Sequence, residues 1–146
     1  MTGAQAKPRA RTAEVVSGPA QALDGDTLVI GDVHVRLFGA DAFEANQVCG
    51  RMACGPKATE VMEEMIARQV ITCEKQDKDR YGRTVAVCHN AAGVDLAQEM
   101  VRRGLAVAYR RYSLRYVADE QWAQAHRQGA WGHGFDSPVV WRRNHG

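Results

Sequence analysis

The chain has 146 residues, of which 45% are hydrophobic and 25% charged, and a formal net charge of +2. This length fits one domain whose core buries roughly two-thirds of the unfolded surface without covalent staples. The charge is too small to identify a polyanionic partner by itself, and no run approaches the ~20 apolar residues of a membrane span.

In chain order, residues 1–12 (MTGAQAKPRART) are polar, lack the apolar stretch of a signal peptide and are expected to form a disordered tail. Residues 13–18 (AEVVSG) predict a strand. Thr27–Ile30 and Val33–Phe38 are rich in β-formers and flank Gly31-Asp32, and a two-residue loop with Gly first predicts a type II′ hairpin. Val33, Val35 and Leu37 share one face of the second strand, while His34, Arg36 and Phe38 share the other, which turns Arg36 away from the core. Residues 56–68 (PKATEVMEEMIAR) predict a helix, with Ala58, Val61, Met62, Met65 and Ile66 at helical spacing, so these methionines are core residues. Val70–Gln76 and Thr84–His89 predict strands joined by DKDRYGR, residues 77–83. A helix over 95–103 has Asp95 as N-cap, Gln98 three residues on and Gly104 as its stop. Another runs over 117–128 and ends at Gly129. Trp131 is expected to dock on the core, and the stretch from Gly132, with Pro138 and Trp141, reads as loop. The organisation is therefore a tail over 1–12, a domain over 13–132 and a C-terminal tail over 133–146. The fold class is α+β and mainly β: a five-stranded barrel of the OB type with three packed helices, with a generic α+β sandwich as the alternative.

The chemistry-bearing residues gather around the first hairpin. Asp24-Gly25-Asp26 opens it and Gly39 to Glu44 (GADAFE) follows it. A hairpin brings its outer ends together, so Asp26 should lie near Asp41. Two carboxylates at a strand rim, with a main-chain carbonyl such as that of Ala42, suit a hard cation such as Ca²⁺. Aspartates at such places equally serve as turn caps, and their spacing is not that of an EF-hand. Glu44, just past Asp41, is placed to hold a water rather than the cation, as a general base must. Arg36 leaves the same hairpin, and Arg83 closes the DKDRYGR turn, whose five charges exceed what a turn requires. A guanidinium fork matches two oxygens of a phosphodiester, and two forks can neutralise charge that grows as water attacks phosphorus. Arg80 and Tyr81 would flank that site. Each feature alone also reads as solvated surface, as does the basic group Arg102, Arg103, Arg110, Arg111 and Arg115. Together they are the parts of metal-assisted phosphodiester hydrolysis.

The ordered set DGDTLVIGDVHVRLFGADAFE, DRYGR and MVRRGLA resembles the staphylococcal nuclease family from about Ala13 to Trp131. The resemblance implies an OB barrel with three helices and a Ca²⁺-dependent nuclease that cuts DNA and RNA by water attack, leaving 3′-phosphate ends. It implies Asp26, Asp41 and the Ala42 carbonyl as calcium ligands, Arg36 and Arg83 as clamps on the scissile phosphate, and Glu44 as the water-activating residue. Arg80 and Tyr81 match positions that contact a terminal phosphate, and Tyr109 falls near a nucleotide-stacking tyrosine. The family commonly carries Thr-Pro-Glu where this chain has Ala42-Phe43-Glu44, a change that bears on the placement of Glu44 more than on cation binding.

Four cysteines, Cys49, Cys54, Cys73 and Cys88, lack zinc-site spacing. Cys73 and Cys88 lie at comparable heights on the strands flanking the turn and could bridge, while Cys49 and Cys54 could close a small loop; four reduced thiols are the other reading. The bonds would need an oxidising compartment, so a secreted or periplasmic home is favoured over the cytoplasm although the chain shows no signal peptide. The expected partner is single-stranded DNA or RNA as substrate, with no membrane and a monomeric state. The competing function is a non-catalytic OB module of the same family that binds nucleic acid or protein.

Overall fold

The computed structural model describes residues 14–146, so the tail expected over 1–12 lies outside the described residues. The first strand, β1 (Val15–Ala22), is longer than its apolar run suggested and alternates between exposed and half-buried positions along its whole length. β2 (Thr27–Ile30) and β3 (Val33–Leu37) form the expected hairpin: Ile30 pairs with Val33, and Gly31 carries a φ of +60° that suits a glycine-first turn. β3 then pairs in parallel with β6 (Thr84–His89), β6 antiparallel with β5 (Val70–Lys78), and β5 with β1. The result is a closed barrel in the order β1-β2-β3-β6-β5, the five-stranded OB-type architecture read from the sequence.

Leu28, Val35, Leu37, Ile71, Cys73, Ala86 and Cys88 fill the barrel. Helix α1 (Cys54–Ile66) closes it with Ala58, Val61, Met62, Met65 and Ile66, the predicted apolar stripe. In α2 (Leu96–Arg102) the Asp95 carboxylate accepts the Gln98 N–H at 3.1 Å, the cap the sequence predicts. Gly104 follows at φ +69°, where a Cβ would strike the Gln128 carbonyl. α3 (Val117–Ala125) is followed by a single 3-10 turn at Gly129–Gly132.

Two features depart from the expectation. β4 (Ala40–Ala42) and β7 (Ala106–Ala108) form a separate two-stranded sheet, each too short to carry a period. The stretch from Gly132 is not all loop: α4 (Pro138–His145) brings the helices to four instead of three. Ser137 accepts the Val140 N–H at 3.3 Å and Pro138 stands in the first turn, so Ser-Pro starts a helix here.

Both cysteine pairs are bonded. Cys73 and Cys88 face each other directly on β5 and β6, and Cys49 and Cys54 close the loop that leads into α1. The Cys73–Cys88 bond spans a sequence separation of 15, a loop whose closure restricts the unfolded chain by about 3 kcal/mol. Replacing both with alanine should lower unfolding free energy in urea by about 2–4 kcal/mol. A loss below about 1 kcal/mol would mean that the barrel gains little from the bridge.

Candidate active site

The hairpin register builds the centre of the site. Thr27 pairs with Arg36, so Asp26, one residue before β2, lies beside the Arg36 guanidinium. Arg36 Nη1 lies 3.2 Å from Asp26 Oδ2, and Nη2 donates to Asp41 Oδ1 at 3.3 Å. The same Nη1 donates to the carbonyls of Leu37 at 3.0 Å and Ala40 at 2.8 Å. One guanidinium thus joins two carboxylates that are almost fully withdrawn from solvent. The Ala42 N–H completes the link by donating to Asp26 Oδ2 at 2.7 Å. Asp24 caps the turn, its Oδ1 accepting the Asp26 N–H at 3.0 Å.

Burial pushes the Asp26 carboxyl up to about 7, with the neighbouring charges of Asp24 and Asp41 adding to it and Arg36 and the Ala42 N–H opposing. Among the described residues no three His, Cys, Asp or Glu side chains form a ready metal centre. Asp26, Asp41 and the Ala42 carbonyl are all hard oxygen donors, and this set fits a hard cation whose shell is completed by water and substrate oxygens.

Glu44 is held by its own backbone. Its N–H donates to Gln47 Oε1 at 3.1 Å, and the Gln47 N–H donates back to the Glu44 carbonyl at 2.8 Å. Gln47 is fully buried and donates from Nε2 to the Asp136 carbonyl at 2.7 Å. Gly55 lies so close to the Glu44 carbonyl that a Cβ there would collide with it. The Cys49–Cys54 bond locks the same loop. The Glu44 carboxylate accepts from Arg142 Nη1 at 2.7 Å, and Arg142 also grips Asp41 through Nη1 to Oδ1 at 3.2 Å and Nη2 to Oδ2 at 3.1 Å. Arg142 lies on α4, in the stretch read as loop, and Gln47 carried no sequence signal beyond its loop position.

Arg83 stands immediately before β6, the strand whose Val85 pairs in parallel with Arg36. Its Nε donates to Asp79 Oδ2 at 2.7 Å and its backbone N–H to Asp79 Oδ1 at 2.9 Å, leaving the terminal nitrogens unpaired among the described residues. Slight burial works against the ionised Asp79 carboxylate, but hydrogen bonds from the Arg83 backbone and side chain and from the Tyr81 N–H hold it below its ordinary value. Asp79 is thus the residue that aims Arg83, a role hidden in an ordinary turn position. Tyr81 is 70% exposed; its hydroxyl accepts from Arg80 Nη2 at 3.0 Å, and the Arg83 guanidinium lies 5.6 Å from its ring centroid. That hydrogen bond, chiefly, with the nearby Tyr81, Tyr112 and Asp79 side chains adding to it, holds the Arg80 guanidinium above its ordinary value. Tyr112 packs edge-on against Tyr109 at 4.8 Å, and Tyr109 lies 5.9 Å from the Arg36 guanidinium. Tyr109 thus links the tyrosine pair to the acidic centre. The other arginines stay local: Arg102 pairs with Asp119, Arg103 with Glu99, Arg110 with Glu120, and Arg115 with Asp95.

The family model described as staphylococcal nuclease homologue matches residues 34–133, the span that carries Arg36, Asp41, Glu44 and Arg83. The chain belongs to the staphylococcal nuclease family. It is 32% identical over 127 residues to an uncharacterized endonuclease of Escherichia coli O157:H7, covering 82% of this chain and 80% of that one. It is 32% identical over 138 residues to a micrococcal nuclease of Shigella flexneri, covering 83% and 76%. A succinoglycan biosynthesis protein of Rhizobium meliloti is also 32% identical, over 84% of this chain and 68% of its own length.

The raised Asp26 value has a measurable consequence for this family member. Because the folded value lies above the ordinary 3.8, the protonated carboxyl favours the fold; that contribution is complete below about pH 4 and is lost as pH rises through about 7. In chelator, wild type should lose on the order of 2–4 kcal/mol relative to Asp26→Asn between about pH 4 and pH 8. Parallel thermal melting curves across that range would refute the assignment.

Proposed function

We propose that the protein is a Ca²⁺-dependent nuclease that hydrolyses phosphodiesters of single-stranded DNA or RNA and leaves 3′-phosphate ends. The observation that carries this reading is the Arg36 guanidinium set between Asp26 and Asp41, with Glu44 joined to Asp41 through Arg142. Family membership and the nuclease names of relatives support the reaction class. A calcium ion bound by Asp26, Asp41 and the Ala42 carbonyl would supply Lewis-acid polarisation of a phosphate oxygen.

The protein's own groups do the rest. Glu44, fixed by Gln47 and the Cys49–Cys54 loop, accepts a proton from the attacking water. As the new oxygen–phosphorus bond forms, the bond to the 5′-oxygen breaks, and that oxygen leaves with a proton from solvent. Arg36 keeps Nε free among the described residues, so its Nε edge can meet a phosphate oxygen while Nη1 and Nη2 remain anchored. Arg83 presents its terminal fork from the turn and stabilises charge on the equatorial oxygens. Arg80 and Tyr81 take a neighbouring phosphate, and Tyr109 offers a ring for base stacking. The intact set of acids and arginines favours catalysis over a purely binding module. The two disulfides suit an oxidising compartment outside the cytoplasm.

A labelled single-stranded oligonucleotide should be cut in calcium and left intact in chelator. Arg83→Ala and Glu44→Gln should each lower kcat/KM by about 10²–10⁴. Arg36→Lys, which keeps the charge but loses the fork, should lower it by a similar factor without unfolding the chain. Binding without turnover at any calcium concentration would instead identify a binding module.

A further inference from the structure

The proposed chemistry needs the oxygens of Asp41 and Glu44 free for a cation and a water, yet α4 places a cation of its own on them. Arg142 grips both Asp41 oxygens, at 3.2 and 3.1 Å, and reaches Glu44 Oε2 at 2.7 Å with the nitrogen that also holds Asp41 Oδ1. Asp41 Oδ1 is at the same time bonded to Arg36. We propose that Arg142 is a built-in occupant of the acidic site, a strap residue that competes with the divalent cation for Asp41 and with the attacking water for Glu44. This inference rests on the metal-site reading above.

Three observations separate Arg142 from Arg36. Arg36 is 13% exposed and fixed by two main-chain carbonyls, whereas the Arg142 side chain is 40% exposed and bonds only to carboxylates. α4 is anchored at its start: Pro138 is buried, the Asp136 carbonyl accepts from Gln47, and Phe135 packs on Phe43 at 5.0 Å. Beyond that start, Arg142 makes the only side-chain hydrogen bonds between α4 and the rest of the described residues; Ser137 caps the helix from within and His145 bonds the Trp141 carbonyl. Among side-chain hydrogen bonds, the attachment of α4 beyond its start thus runs through Arg142. A fork-on-fork guanidinium–carboxylate pair is a strong resident, but Arg142 reaches the buried Asp41 from a side chain that is 40% exposed and lacks the main-chain anchors of Arg36.

Calcium binding measured by calorimetry without nucleic acid tests the strap apart from catalysis. Arg142→Gln should tighten calcium binding about threefold to thirtyfold, and Arg143→Gln, one position away and outside the site, should leave it unchanged. Arg142→Lys, with charge but no fork, should fall between the two. Circular dichroism checks that the variants fold. Equal or weaker calcium binding in Arg142→Gln overturns the strap. Tighter binding with no cleavage by either protein keeps the strap and rejects the nuclease; cleavage with unaltered calcium affinity keeps the nuclease and rejects the strap. No calcium binding by any variant rejects both.

Discussion

A single guanidinium shared by two buried carboxylates holds the first third of this fold in place. Arg36 comes from β3, Asp26 from the turn before β2 and Asp41 from β4, so the group ties the hairpin to a strand that is not part of the barrel. β4 has only three residues, and its pairing with β7 would be marginal alone. The bonds from Arg36 to the Ala40 carbonyl and from the Ala42 N–H to Asp26 give it a second line of attachment. Removing one member of such a buried pair leaves an uncompensated charge and costs about 3–5 kcal/mol. The arrangement is thus structural and chemical at once: Arg36 and the Ala42 N–H hold the two carboxylates together, and burial raises the affinity of Asp26 for a proton.

The site is rigid where the family's motif would use proline. Phe43 stands in that position, and it is buried, packing edge-on against Phe135, which in turn meets Trp131 at 4.8 Å. Backbone bonds between Glu44 and Gln47, the Cys49–Cys54 bridge and the close approach of Gly55 confine the same loop from three directions. Proline restricts φ in the folded and unfolded chain alike, whereas this loop is restricted by its neighbours. Placement of Glu44 accordingly depends on the segment from Trp131 to Pro138 as well as on its own loop.

The parts of this fold that were legible in the sequence are those with a local period or a local partner. The hairpin around Gly31-Asp32, the α1 stripe and the Asp95 cap follow from spacing, the two cysteine pairings were possible beside four reduced thiols, and the hairpin geometry was enough to bring Asp26 toward Asp41. β4 and β7 escaped because three residues carry no alternation, and each exists through the other. Gln47 and Arg142 escaped for a different reason: their partners lie far away in the chain, 89 residues for Gln47 and 101 for Arg142 with Asp41. Nothing in a local window distinguishes an arginine that reaches a buried aspartate from one in solvent. Asp79 is the instructive middle case. It lies in the DKDRYGR stretch read as a connection, where no role was assigned to it, and the same carboxylate that accepts the turn N–H groups also fixes the direction of Arg83.

Charge balance explains why two arginines on one acidic cluster have different characters. Asp26, Asp41 and Glu44 meet Arg36 and Arg142, with Asp24 close by, so carboxylates outnumber guanidinium groups. Burial makes that excess costly, which is why Asp26 holds its proton toward neutrality. Any mobile cation relieves the cost, and the nearest one tethered to the chain is the guanidinium on α4. Arg36 is immobile because main-chain carbonyls claim it along with the acids, whereas Arg142 has only the acids. Its attachment is therefore set by the same surplus charge that would attract a divalent ion, so the two interactions are linked by competition for the oxygens of Asp41.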